Sequence, residues 1–260
     1  MSDLVFDKVT VRFGTGRRAV LAVDDVSLTV PHGTIVGLVG ESGSGKSTLA
    51  RASVGLVPVQ TGAITLGGRP VPTRGSHRPL QMVFQDPTAS LDPRMKVGKA
   101  IRETMPRTLS PAERPAEVAR LLDLVHLDPA RAESYPGQLS GGQRQRVALA
   151  RALASHPDVI IADEITSSLD VSIQGAILNL VRELVDELDL TMLFISHNLA
   201  VVRYMASRVA VMRQGKIVEE GPSDQIMTNP QHPYTRQLLA AIPGDDRHNP
   251  PDNYAGPEQS

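Results

Sequence analysis

The sequence predicts an α/β fold built on a largely parallel sheet. Three observations carry that expectation. Short apolar runs alternate with helical patterns along most of the chain. One such run, residues 35–39, passes directly into a glycine-rich loop and then a helical stretch, the order a phosphate-binding loop requires. The residues with chemistry to offer are the loop beginning at Gly40 together with Gln85, Asp163, Glu164 and His197, and all fall just after expected strands. Open α/β sheets place their ligands at that carboxyl edge.

The elements follow in order. A first strand is expected over 4–13, with Gly14-Thr15-Gly16 as its turn. Val26, Leu28 and Val30 alternate with Asp25, Ser27 and Thr29, the pattern of a half-buried strand. After the run 35–39 and the loop, a helix is expected through Leu56, and 81–84 reads as another short strand. From Asp86 to about Pro157 the texture changes. Pro87, Pro93, Pro106, Pro111, Pro115, Pro129 and Pro136 interrupt short helical patterns such as 116–125, which predicts a mostly helical insertion. Its last helix starts at Ser140, a natural N-cap, and runs through Arg144 to Ala154. A buried strand over 159–162 ends in Asp163-Glu164. An amphipathic helix is expected over 172–187 and a strand over 191–195, ending at Ser196-His197. Residues 209–212 and 217–220 pair as a hairpin across Gln214-Gly215. The last dozen residues, rich in Pro, Asn, Asp and Gly, are expected to form a mobile tail. No internal repeat is visible.

Composition narrows the function classes. The chain has 260 residues, 41% apolar and 21% charged, enough length and apolar content to bury a sizeable core. A net charge of −1 is not that of a polycation built for nucleic acid. Four Phe, four Tyr and no Trp leave few stacking platforms for single strands. The absence of Cys excludes disulfides, iron–sulfur clusters and thiolate zinc sites. No apolar run approaches the roughly 20 residues that span a bilayer. Met1-Ser2-Asp3-Leu4 and Asp7 put no basic stretch ahead of an apolar run, so no signal peptide is expected.

Gly40-Glu41-Ser42-Gly43-Ser44-Gly45-Lys46-Ser47 matches the phosphate loop G-x-x-x-x-G-K-[ST]. Glycines let the backbone wrap phosphates closely, amides point inward, and the following helix N-terminus favours negative charge. Lys46 is placed to reach β- and γ-phosphates, and the Ser47 hydroxyl to ligate Mg²⁺. Asp163 suits an outer-shell partner of that cation, and Glu164 suits a base for an attacking water. His197 either contacts a γ-phosphate or is structural; Gln85 either touches the metal or caps a loop. Leu139-Ser140-Gly141-Gly142-Gln143 exposes a helix N-terminus with little side-chain cover, a second anion site, or else marks tight packing of a helix on a strand. Arg144, Arg146 and Arg151 on that helix read as a solvated face.

Taken in this order, the phosphate loop, Gln85, Leu139 to Gln143, Asp163-Glu164, the Ser167-Ser168-Leu169-Asp170 loop and His197 resemble the ATPase subunit of ATP-binding-cassette (ABC) transporters. The resemblance covers nearly the whole chain, to about Pro243. It implies a P-loop (RecA-like) core over 1–86 and 157–243, with an N-terminal antiparallel β subdomain. It also implies a mostly helical signature subdomain over about 87–156, and leaves a tail at 244–260. In that family two cassettes form a head-to-tail sandwich, each ATP lying between one phosphate loop and the facing signature. The resemblance thus implies ATP and Mg²⁺ as cofactors. Gly40 to Thr48 would hold phosphates, Ser47 and Gln85 would ligate Mg²⁺, Glu164 would be the base and His197 the γ-phosphate sensor. Asp170 would couple the two sites. Phe13 would stack on adenine, while Phe6 is a core residue. The helical insertion and the Gln85 loop would receive coupling helices of membrane subunits.

Phe84-Gln85-Asp86-Pro87, Ala89-Ser90-Leu91-Asp92-Pro93-Arg94-Met95, Tyr135-Pro136 and His232-Pro233-Tyr234-Thr235 further resemble the peptide and nickel importer ATPases. Related systems import dipeptides, oligopeptides, glutathione, nickel, metallophores or sugars. The implied partners are a second ATPase subunit (a paralogue or the chain itself), two transmembrane permeases and, indirectly, an extracytoplasmic solute-binding protein, with no nucleic acid. The implied location is peripheral, on the cytoplasmic face of the cell membrane. The chain departs from the family at Ile165, where Pro usually follows the catalytic Glu, and at Ser168, where Ala is common. Pro would fix φ and stiffen that loop. The alternatives are a soluble cassette ATPase that remodels a macromolecule, and a GTPase or small-molecule kinase sharing only the phosphate loop. No N-K-x-D guanine motif supports the last.

Overall fold

The period-two alternation near the N-terminus builds an antiparallel sheet in the computed structural model, which describes residues 2–14, 16, 19–72 and 79–241. β1 (Leu4–Phe13) pairs with β2 (Val20–Val30), placing Phe6 opposite Leu28 and Phe13 opposite Val20. β4 (Thr61–Leu66) adds to the other edge of β1, and β5 (Arg69–Pro70) follows it. The expected turn residue Thr15 and the expected tail lie outside the described residues.

The second sheet carries the strands read as apolar runs. Its order is β10-β9-β3-β8-β7-β6. β3 (Ile35–Val39), β6 (Leu80–Val83), β7 (Val159–Asp163) and β8 (Thr191–Ser196) are mutually parallel, and β9 (Arg208–Arg213) is parallel to β3. β10 (Lys216–Pro222) closes the edge antiparallel to β9. Every residue of β3, β7 and β8 is buried, as expected of parallel strands covered on both faces. Alternate residues serve different cores. Val36, Leu38, Ile161, Leu193 and Ile195 pack towards Phe6, Val26 and Leu28 of the antiparallel sheet. Ile35, Val39, Ile160, Ala162, Met192 and Phe194 pack towards the helices. One register thus fixes both layers.

The β9–β10 hairpin turns where expected. Gln214 and Gly215 have φ of 47° and 83°, the left-handed pair a tight two-residue hairpin demands. α1 (Lys46–Ser53) stops three residues short of the expected Leu56. The reason is local: Gly55 takes φ of 75°, its N–H bonds to the Ala52 carbonyl, and Leu56 N–H bonds to that of Arg51. This reciprocal pair of bonds ends a helix.

The insertion is helical as expected, with α2 (Val97–Arg102), α3 (Arg114–Leu124) and α4 (Gly141–Leu153) joined through 3-10 turns at Pro87–Ser90, Pro129–Glu133 and Pro136–Gln138. The expectation of a solvated arginine face on α4 is overturned. Arg144 Nη1 donates to the Leu139 carbonyl at 3.1 Å and Arg146 Nη1 to that of Val125 at 2.9 Å. Arg151 reaches the carbonyls of Ser90 at 2.9 Å and Ala100 at 3.2 Å. All three are half-buried, because the short helices and turns leave loop carbonyls that a guanidinium fork can satisfy. α5 (Val171–Glu187) leads to β8, and α6 (Leu199–Met205) then lies on β3 and β8. Sequence reading did not foresee α6, α7 (Ser223–Thr228) or α8 (Pro233–Ala240). Among the described residues no helix is long and apolar enough to cross a membrane.

Candidate functional site

The loop Gly40 to Ser47 leaves the carboxyl end of β3, and α1 begins at Lys46 with Gly45 as its N-cap. Gly45 has φ of 108°, and a Cβ there would fall 2.3 Å from the Ala22 carbonyl oxygen, so the residue serves both a turn and a close approach of two backbones. The hairpin turn braces the loop, since Gly215 N–H donates to the Ser44 carbonyl at 2.9 Å and the Gly215 carbonyl accepts from Asp24 N–H at 2.9 Å.

Lys46 is 4% exposed, and its Nζ donates to the carbonyls of Gly40 at 2.7 Å and Glu41 at 2.9 Å. Burial lowers its pKa from the ordinary lysine value, opposed by the nearby carboxylates of Glu164 and Asp163. The Ser47 hydroxyl donates to Asp163 Oδ1 at 3.1 Å. Burial raises the Asp163 pKa against that hydrogen bond, and the neighbouring Glu164 carboxylate pushes it the same way.

Adjacent parallel strands bring Glu164 and His197 together. Asp163 is in register with Ile195, so the residues after them meet at the sheet edge. Glu164 N–H donates to the Ile195 carbonyl at 3.0 Å, and its Oε1 lies 3.3 Å from His197 Nδ1. Glu164 holds φ of 50°, a backbone region that costs a non-glycine residue on the order of 1–3 kcal/mol and recurs at functional sites. The next residue, Ile165, is fully buried in the helical-side core, so an apolar anchor stands where the resembled family has Pro.

Part of this set lines a cleft of about 580 Å³, while Asp163 and His197 are not among its lining residues. Ser42, Gly43, Gly45, Lys46, Ser47 and Thr48 line one side, with Gln85 and Glu164 beyond them. Val20, Leu21, Ala22, Gln214 and Gly215 form the other wall. Phe13 is 45% exposed, opposite Val20 in the strand register but not among the lining residues.

The segment Leu139 to Gln143 stands apart, and none of it lines the cleft. Ser140 is exposed and caps α4: its hydroxyl accepts from Gln143 N–H at 3.2 Å while its own N–H donates to Gln143 Oε1 at 2.9 Å. The two glycines differ in their surroundings, and the packing partner is a helix where sequence reading had offered a strand. Gly141 is half-exposed, whereas Gly142 is buried against α5, where a Cβ would come within 2.6 Å of Ile173 Cγ2. Asp170 is exposed at the N-cap of α5, with no side-chain bond to the helix amides. Sequence reading missed the hairpin brace and Tyr234, whose hydroxyl accepts from the Glu41 N–H at 3.0 Å. Tyr234 was visible only as part of the His232-Pro233-Tyr234-Thr235 string.

The fold and this site define a phosphate-loop nucleoside triphosphatase. A family profile described as ABC transporter matches residues 23–167, and another, described as oligopeptide/dipeptide transporter, C-terminal region, matches 218–259. A peptide import ATP-binding protein of Brucella abortus (strain 2308) is 48% identical over 250 residues, 93% of this chain and 75% of that protein. The oligopeptide transport ATP-binding protein OppF of Bacillus subtilis (strain 168) is 47% identical over 244 residues, 90% of this chain and 80% of that one. The dimeric post-hydrolysis structure of the ATP-binding cassette MJ0796, bound to ADP and Pi, superposes with a TM-score of 0.73 at 27% identity, covering 85% of this chain and 98% of that chain. The chain belongs to the ABC transporter family, as its ATP-binding, ATP-hydrolysing cassette.

Proposed function

We propose that this cassette powers import of peptides or a related small solute. It would act head-to-tail with a second cassette, each ATP lying between one phosphate loop and the facing signature. The observation that carries the sandwich is the separation of Ser140 to Gln143 from the cleft of their own chain. Ser140 is exposed and Gly141 half-exposed at this capped helix N-terminus, which suits an anion, and a phosphate held by another subunit is a fitting occupant. Peptide import rests on the relatives' names and on the C-terminal match.

In this reading Gly40 to Thr48 cradle the phosphates and Lys46 moves its charge onto the β- and γ-oxygens. Glu164, oriented by His197, takes the proton of the attacking water. His197 also senses the γ-phosphate, and Asp170 couples the paired sites. Phe13 closes over adenine from the rim of the cleft. The cation donors fit Mg²⁺: Ser47 and Asp163 place two oxygens 3.1 Å apart, and Gln85 lines the same cleft. Among the described residues no cluster of three His, Asp or Glu offers an all-protein cage, which suits an ion that keeps waters and phosphate oxygens as ligands. When bound, that ion neutralises charge on the transferring phosphate.

The core spans 1–86 and 157–243, with the insertion about 87–156 as the signature subdomain. A second cleft of about 370 Å³ joins the insertion to the core, lined by Phe84, Glu103 and Arg151 with Leu56, which is 57% exposed. It supports docking of permease coupling helices, which would hold the cassette at the cytoplasmic membrane face. Ser140→Arg tests the sandwich. It should abolish hydrolysis of ATP held by the facing subunit while leaving equilibrium nucleotide binding at this chain's Lys46 unchanged. Undiminished hydrolysis by the Ser140→Arg assembly would contradict the reading. For the solute, ATP-driven uptake of labelled peptides into vesicles carrying the partner permeases is expected.

A further inference from the structure

The last helix among the described residues, α8, reaches back to the phosphate loop. Tyr234 sits in the first turn of α8 and is 1% exposed. A buried tyrosine hydroxyl needs a hydrogen-bond partner. This one accepts from the backbone N–H of Glu41 at 3.0 Å. At the end of β9 the Arg213 guanidinium lies over the ring, 4.6 Å from its centroid. The segment entering α8 is fastened as well. Glu219 of β10 accepts from the amides of Gln231 at 2.6 Å and His232 at 3.1 Å, and His232 Nδ1 accepts from Tyr234 N–H at 3.1 Å. The tyrosine is thus positioned by β9 and β10, strands of the sheet that carries the loop.

The bond falls on one particular peptide. The Glu41 N–H and the Gly40 carbonyl belong to the same planar unit and point to opposite sides of it. Tyr234 holds the N–H, and Lys46 Nζ donates to the Gly40 carbonyl at 2.7 Å. The Gly40–Glu41 peptide is therefore pinned from both sides, once by the residue that meets phosphate and once by a residue 193 positions away. When Lys46 turns to phosphate oxygens, the tyrosine contact keeps the plane in place.

We propose that Tyr234 is a positioning residue for nucleotide binding, its hydroxyl fixing the Gly40–Glu41 peptide so that the loop is preorganised for phosphate. This rests on the loop being the nucleotide site and makes the C-terminal segment part of that site. Without the hydroxyl the peptide can rotate, and ATP must select the competent loop from a wider set.

Tyr234→Phe keeps the ring, its burial and the Arg213 contact, and removes only the acceptor. Equilibrium binding of ATP and ADP to the full chain, with steady-state hydrolysis alongside, reads the result. Dissociation constants for both nucleotides and the KM for ATP should rise about three- to tenfold. Saturated kcat should stay within about twofold, because the contact serves ground and transition states alike. The melting temperature without nucleotide should move by no more than about 2 °C. Tyr204→Phe, which removes a hydroxyl bonded to Asn179 on the outer surface, is the control and should leave affinity unchanged. Affinity within twofold of wild type for Tyr234→Phe overturns the proposal. So does a loss of kcat without a rise in KM, or a weakened affinity that comes with a melting-temperature drop beyond about 5 °C. Wild-type chain that bound no nucleotide would sink the site reading itself, a result distinct from any difference between variant and wild type.

Discussion

Glu164 Oε1 and His197 Nδ1 lie 3.3 Å apart, although they are 33 positions apart in the chain, because β7 and β8 end side by side. The histidine is 58% exposed on its side chain and the glutamate 19%, so the pair spans the boundary between cleft and solvent. Glu164→Gln keeps the shape and removes the proposed base. It should bind ATP yet turn over about 10²–10⁴ times more slowly, measured as phosphate release. ATP should then hold the variant as a dimer by light scattering. A variant that hydrolyses at the wild-type rate would exclude Glu164 as the base.

Lys46 is the buried cation of the cleft, with carbonyls as its partners. Lys46→Ala should lose nucleotide binding, or turnover, because the charge of the β- and γ-phosphates goes uncompensated. Titration with a fluorescent ATP analogue reads this directly, and wild-type affinity would count heavily against the loop as the site.

Gly142 is a packing residue as well as part of the proposed signature. Gly142→Ala places a methyl group within 2.6 Å of Ile173 Cγ2 and should destabilise the chain by about 1–3 kcal/mol. Pairing it with Ile173→Ala should recover part of that loss. Thermal unfolding of the single and double variants checks this; an additive loss would mean the contact is not the cause.

Glu219 links stability to pH. Burial pushes its pKa up, but the surrounding donors, among them the amides of Gln231 and His232 that bond it directly, outweigh that and hold the carboxyl below its usual value. A lowered native pKa contributes stability that is present above the unfolded value of about 4.5 and is lost as pH falls through the native one. Glu219→Gln should therefore show a shallower loss of stability below about pH 4.5 than wild type, measured by urea unfolding across pH. Parallel curves would contradict the assignment.

The strands that place the site were legible because burial on both faces leaves runs such as Val159-Ile160-Ile161-Ala162 with no polar break. The Gln214-Gly215 turn was legible from its residue types. β4 was not: Thr61–Leu66 has no buried residue and carries little periodic signal. The arginines of α4 misled because a guanidinium looks the same in sequence whether water or a loop carbonyl receives it. Gly55 was the available signal for the end of α1, but the expected helix ran past it to Leu56. The contact between Tyr234 and Glu41 joins parts of the chain that no local pattern connects.

The bracing of the phosphate loop also has an order in time. Its supports at Gly215 and Tyr234 are synthesised long after the loop itself. A nascent chain emerging from the ribosome with only its first two hundred residues exposed holds the complete binding motif but neither support. Its hold on nucleotide should mature only as the β9–β10 hairpin and α8 emerge.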